Sequence, residues 1–129
     1  MLAVDTNLVV RYLTGDEPQQ FARAAAVIEG AEIFVCQTVL LETEWVLRSL
    51  YGYRRTQVVD ALRAFAGLPG IALEDPASAG KAFDWVAQGM DFADALHLAK
   101  AQSCEAFVSF DRRLVERAAV LSAIPLRLP

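Results

Sequence analysis

Apolar residues along this chain fall into two rhythms. Short unbroken runs alternate with longer stretches in which every third or fourth position is apolar, the spacing of a helix with one buried face. The run Leu2–Val4 predicts a buried strand, and Asp5-Thr6-Asn7 behind it are all helix-capping types, so a short helix follows over Leu8–Leu13. Thr14-Gly15-Asp16 closes it. Pro18 occupies the first turn of a second helix reaching about Glu29, and Gly30 ends that one. Ile33–Cys36 reads as a second buried strand; Thr38 then caps a third helix to about Tyr51, stopped by Gly52. The same grammar gives a helix over Arg55–Ala66, a strand at Ile71–Leu73, and a helix from Pro76 to about Gln88 that breaks at Gly89. Asp91–Gln102 (helix), Ala106–Ser109 (strand), Arg112–Leu121 (helix) and Pro125–Leu128 (strand) complete it.

Short apolar strands alternating with helices predict an α/β fold, a parallel sheet covered on both faces. Right-handed crossovers narrow this to a doubly wound three-layer α/β/α sandwich, which binds ligands beyond the carboxyl ends of its strands. No repeat, low-complexity tract or linker interrupts the pattern, so residues 1–129 read as a single domain. The length of 129 residues and the 55% hydrophobic content agree with that reading.

No uncharged stretch approaches the ~20 residues of a membrane-spanning helix. Met1-Leu2-Ala3-Val4-Asp5 lacks a basic leader, which makes a cytoplasmic location the expectation. Cys36 and Cys104 have no CxxC spacing and only His97 to join them, which argues against zinc; both read as small buried hydrophobes in a reducing compartment. The net charge of −4 argues against nonspecific nucleic-acid binding. Setting Asp5, Glu42, Asp91, Asp94 and Asp111 aside leaves eleven acids against twelve bases, so the acidity can belong to a pocket instead of the whole surface. Ten of the twelve bases are arginine, whose planar fork suits phosphate.

Each of those acids has two readings. Asp5 follows the first strand and points to the functional rim, but it is equally suited to cap the helix. Glu42 and Glu44, two apart, face different ways on their helix. Glu44 has Arg48 at i+4 and reads as half of a solvated pair. Glu42 borders the apolar stripe of Val39, Val46, Leu47 and Leu50 with no cation nearby, so it needs a partner from elsewhere. Asp91 and Asp94 share one side of a helix start, where capping explains Asp91 at least as well as chemistry does. Asp94 has no lysine or arginine within a turn, and His97 reads as a structural neighbour of it. Asp111 sits between a strand end and Arg112-Arg113 and is a third possible cap. The joint pattern says more. Carboxylates recurring at one rim repel one another unless cations hold them, and oxygen-only ligation favours Mg²⁺ or Mn²⁺.

Asp5-Thr6-Asn7-Leu8, Leu41-Glu42 with Trp45-Val46-Leu47, Asp91-Phe92-Ala93-Asp94-Ala95 and Val108-Ser109-Phe110-Asp111 together resemble the four motifs of PIN-domain ribonucleases, especially VapC-type toxins of bacterial toxin–antitoxin pairs. Order, spacing and length agree over essentially the whole chain. The resemblance implies a five-stranded sheet of order 3-2-1-4-5. It implies an acidic quartet of Asp5, Glu42, Asp94 and Asp111, with Asp91 as accessory acid and Asn7 and Ser109 in support. The implied activity is metal-dependent hydrolysis of RNA, one or two Mg²⁺ or Mn²⁺ ions activating a water and leaving a 3′-hydroxyl and a 5′-phosphate. The scarcity of lysine departs from the family pattern.

Arg11, Arg112 and Arg113 are candidates for phosphate contact, although exposed arginines are usually only solvated. The resemblance also implies a homodimer and a cognate antitoxin packed into a groove, for which Phe21, Trp45 and Tyr51 are candidate anchors or, equally, core. A phosphatase using Asp5 as nucleophile would want a second Asp where Asn7 stands. A phosphoacceptor module would want a lysine after a late strand, whereas Lys100 lies within a predicted helix. The remaining alternative is a catalytically weak PIN-fold module that binds RNA or protein, because intact acids give capacity and not turnover.

Overall fold

The computed structural model describes all 129 residues, Met1 to Pro129. They form two compact units, Met1–Pro76 and Ala77–Pro129. The first strings together β1 (Leu2–Ala3), α1 (Thr6–Thr14), α2 (Pro18–Gly30), β2 (Ile33–Val35), α3 (Gln37–Ser49), α4 (Arg55–Ala66) and β3 (Ile71–Leu73). The second carries α5 (Pro76–Ala87), α6 (Phe92–Lys100), β4 (Phe107–Val108), α7 (Arg112–Ala118) and β5 (Leu126–Arg127). All strand pairs are parallel. β2 lies between β1 and β3, with Ile33 opposite Leu2 on one side and Ile71 on the other. β4 pairs with β5, Phe107 opposite Leu126. This is the α/β class read from the alternation, with the orders β3-β2-β1 and β4-β5 observed.

In the first unit Val4, Val9, Ile28, Ile33, Val35 and Phe65 make a buried core, against which Leu8, Tyr12, Leu13 and Val39 pack. Each such fully buried aliphatic contributes about 1.5–3 kcal/mol over exposure. Core residues come from both rhythms, strand β2 supplying Ile33 and Val35 and the helices Val9, Ile28 and Phe65. α1 ends at Gly15, whose left-handed φ of 61° lets its N–H close onto the Arg11 carbonyl. α2 opens with Pro18 at its first turn, as its fixed φ favours, and Glu17 caps it by accepting from the N–H groups of Gln19 and Gln20.

In the second unit Phe83 and Phe92 stack with ring centroids 5.6 Å apart. Gly89 turns the chain from α5 into α6 at φ +100°, and its carbonyl accepts a hydrogen bond from Arg117 Nη1. A Cβ at this position would lie 2.6 Å from that nitrogen. No helix in either unit is long and apolar enough to cross a membrane.

Several local expectations are corrected. α1 starts at Thr6 and not Leu8, because Asp5 caps it. α3 starts at Gln37 with Cys36, not Thr38, in the cap position; the Gln37 N–H finds its acceptor in Glu74 Oε1 at 2.9 Å, a partner far off in sequence. α6 stops at Lys100, and Gln102 folds back so that its Nε2 donates to the Leu98 carbonyl. α7 stops at Ala118, whose carbonyl takes the N–H groups of both Leu121 and Ser122. The strands are shorter than predicted at Leu2–Ala3, Ile33–Val35, Phe107–Val108 and Leu126–Arg127. Cys104 is exposed and Cys36 only half-buried, since Cys104 lies in the α6–β4 loop and Cys36 at the cap of α3, neither within a strand or helix face.

The buried stripe of α3 is also not the expected one. Leu40, Thr43, Glu44 and Leu47 are buried, whereas Val39 and Val46 are half-buried and Leu50 is 70% exposed. Glu44 is therefore no solvated residue. It is 2% exposed, and its carboxylate meets Arg48 Nε at 2.9 Å. α3 packs against both α1 and α4. Apolarity alone does not tell a stripe between two helices from one facing a single neighbour.

Candidate functional site

In the first unit the chain passes from β1 straight into α1, which puts Asp5 just beyond the strand's carboxyl end. Asp5 Oδ1 accepts the Leu8 N–H at 3.0 Å, the capping bond that its position in sequence anticipated. Its Oδ2 has no hydrogen-bond partner. Beside it, Thr6 Oγ1 donates to Glu42 Oε1 at 2.5 Å, tying the start of α1 to α3. Glu42 is exposed and its Oε2 has no partner. Asp5, Thr6, Asn7, Arg11 and Glu42 line one hollow of about 520 Å³, together with Val39, Val46 and Tyr51. On the α2 side of α1, Asp5, Asn7 and Arg11 line a second hollow of about 290 Å³ with Gln20 and Arg23.

The second unit carries the other acids. Asp91 caps α6, its Oδ2 accepting the Asp94 N–H at 3.2 Å, so Asp91 and Asp94 are brought together at one helix start. Both are half-buried. Asp111 caps α7 by accepting the Leu114 N–H on Oδ1 at 3.0 Å, while its own N–H is taken by Ser109 Oγ at 3.0 Å. Asp111, Arg112, Arg113 and Phe110 are exposed.

The family model of the PIN domain matches residues 2–120. The chain belongs to the PIN domain family. Its members are generally metal-dependent nucleases, and the fold suits RNA binding. No individual curated protein matches the sequence significantly.

Donor chemistry in this PIN domain fits a hard divalent cation. Every candidate ligand is a carboxylate oxygen, and Asp5, Glu42 and Asp111 each keep one oxygen uncommitted while the other is fixed by a helix N–H or a hydroxyl. In neither unit do three His, Cys, Asp or Glu side chains gather into a group able to hold a metal. Asp5 and Glu42 share a hollow, Asp91 and Asp94 share a helix start, and Asp111 stands at its own cap.

Two features of the first unit escape sequence reasoning. Asp16, in the α1–α2 turn, accepts hydrogen bonds from the Tyr51 hydroxyl at 2.7 Å and from Thr14 Oγ1 at 2.8 Å. These bonds, with the Arg11 guanidinium at 3.3 Å, hold its carboxyl below the usual range. Arg11, expected as a solvated arginine or a phosphate contact, is thus anchored. Cys36 has the Thr38 hydroxyl 3.2 Å from Sγ, which lowers its thiol below the ordinary value. Of the three candidate anchors, Phe21 and Trp45 are 40% and 51% exposed, while Tyr51 is half-buried and engaged with Asp16. The Thr14–Asp16 and Cys36–Thr38 contacts each span two residues and were local enough to be read; the Tyr51 and Thr6 bonds span 35 and 36 residues.

Proposed function

We propose that this PIN domain is a Mg²⁺- or Mn²⁺-dependent endoribonuclease, the VapC-type toxin of a toxin–antitoxin pair, with residues 1–129 as one domain. The observation that carries the reading is the pairing of Asp5 and Glu42 on one hollow, each with a free carboxylate oxygen and Glu42 held by Thr6. The family's quartet is assigned to Asp5, Glu42, Asp94 and Asp111 as cation ligands, with Asp91 as accessory. A bound cation supplies an activated water and offsets charge on the leaving oxygen.

The chain's own groups do the rest. The caps hold one carboxylate oxygen each of Asp5, Asp91 and Asp111, and Ser109 braces the turn that presents Asp111. Asn7 borders both hollows and supports Asp5. Arg11, Arg112 and Arg113 supply positive charge for substrate phosphates. Strand order 3-2-1-4-5, a homodimer, a cognate antitoxin and a cytoplasmic location belong to the same proposal. Exposed Phe21 and Trp45 support a protein partner on α2 and α3.

A second reading, a catalytically weak module that binds RNA or protein, draws on the lack of a three-acid group within either unit. Incubating the purified protein with total RNA and Mg²⁺, with and without EDTA, and mapping 5′-phosphorylated ends separates the two. EDTA-sensitive cleavage above an Asp5→Asn/Asp94→Asn control supports the nuclease. Cleavage no greater than that control leaves the binding module.

A further inference from the structure

The Arg11 guanidinium is held at two of its three nitrogens. Its Nη1 donates to the Tyr51 hydroxyl at 2.8 Å and to both Asp16 oxygens at 3.3 Å, and its Nε donates to Gln20 Oε1 at 2.6 Å. The Tyr51 hydroxyl in turn donates to Asp16 Oδ2, so the three side chains close a ring of hydrogen bonds. Nη2 has no partner. Arg11 lines both hollows beside Asp5. A flexible surface arginine loses rotamer freedom when it binds an anion, which cancels much of the gain. Here the fold has already ordered the side chain and left two N–H groups unused, on a residue lining the same hollow as Asp5 and Glu42, whose charges would otherwise repel a phosphate.

We propose that Arg11 is a preset clamp for a phosphate of single-stranded RNA lying in the hollow it shares with Asp5 and Glu42, and that Asp16 and Tyr51 are positioning residues that aim it. The inference rests on the nuclease reading. It deepens that reading by naming where the strand runs, along the α1–α3 hollow, and what fixes its register. The hollow, about 520 Å³, is of small-ligand size, enough for one nucleotide. With Nε and Nη1 already committed, the two N–H groups of Nη2 are the donors left for a phosphate oxygen, in charge-assisted hydrogen bonds.

The test uses the full chain and a short single-stranded RNA, with binding read by fluorescence anisotropy in EDTA and cleavage read in Mg²⁺. Tyr51→Phe keeps the ring and removes the hydroxyl; it should raise Kd and KM by roughly five- to tenfold, with kcat changing far less. Arg11→Gln should raise both further and reduce the slope of log Kd against log salt by about 0.7. Tyr51→Phe added to Arg11→Gln should have no further effect, because nothing remains to aim. If Tyr51→Phe lowers the thermal midpoint but leaves Kd and KM native, the network only braces α1 against α3 and the proposal fails. An unchanged salt slope in Arg11→Gln, with cleavage intact, overturns the clamp while the nuclease stands. Clamp-dependent binding without any cleavage overturns the nuclease while the clamp stands, and neither binding nor cleavage overturns both.

Discussion

The Thr6 hydroxyl donates to Glu42 at 2.5 Å, joining the first turn of α1 to α3 across 36 residues. It commits one carboxylate oxygen of an otherwise exposed glutamate and leaves the other turned loose for a ligand. Removing a group that orients a metal ligand typically costs 10- to 100-fold in affinity or rate. Thr6→Val, nearly the same shape without the hydroxyl, should therefore weaken Mn²⁺ binding and slow RNA cleavage by about tenfold. Thr6→Ser should stay near native. Calorimetry with Mn²⁺ and a cleavage assay on the three proteins check it, and equal behaviour of Val and Ser variants would refute it.

Asp5, Asp91 and Asp111 are all helix caps, which makes substitution to asparagine and to alanine informative in different ways. Asparagine caps as well as aspartate, whereas alanine loses about 1 kcal/mol per site. Each Asn variant should keep native urea stability and lose Mn²⁺ affinity; each Ala variant should lose both. A cap with no metal role would show the stability loss in Ala and unchanged Mn²⁺ binding in Asn.

Arg48 lies against the 2% exposed Glu44. Truncating the cation leaves a carboxylate buried among Leu40, Thr43 and Leu47 of the same helix stripe. Arg48→Met should lower stability by about 3 kcal/mol, toward the lower end for breaking a buried pair since the guanidinium is partly solvated. Glu44→Gln/Arg48→Met should recover part of that loss. Urea titration of the two variants measures both effects.

Asp16 carries a depressed pKa, so its contribution to stability is present above the ordinary aspartate value of 3.8 and is lost as pH falls through the lower folded value. Native protein and Asp16→Asn should differ by a constant thermal midpoint through the neutral range. The gap should shrink only under acid conditions, below about pH 4. A gap that instead closed near neutrality would show that another group is responsible.

Much of the fold was legible because strands and helices announce themselves through apolar spacing and caps. Arg55–Ala66 and Ile71–Leu73 match the reading residue for residue. Cap chemistry exposed Asp5, Asp91 and Asp111 as well, but for the same reason it could not say whether they do more than cap. Boundaries failed where a distant group completed a helix end, as Glu74 does for Gln37. The burial of Glu44 failed because a helix flanked on two sides hides polar positions that local spacing assigns to water. The Arg11–Asp16–Tyr51 ring could not be read at all, since its tyrosine arrives from the bend just past α3, 35 residues beyond Asp16.

Gly89 shows how an inconspicuous position can govern others. Arg117 fastens α7 to the Gly89 carbonyl, two residues ahead of the Asp91 cap, and the same α7 begins at Asp111. One guanidinium thus buckles together the two segments on which Asp91 and Asp111 are mounted. A side chain at 89 would push the tip of Arg117 aside and would be forced into a backbone shape it resists. A change at this one turn would therefore loosen the mounts of two acids at once, although the glycine offers no atom to a ligand.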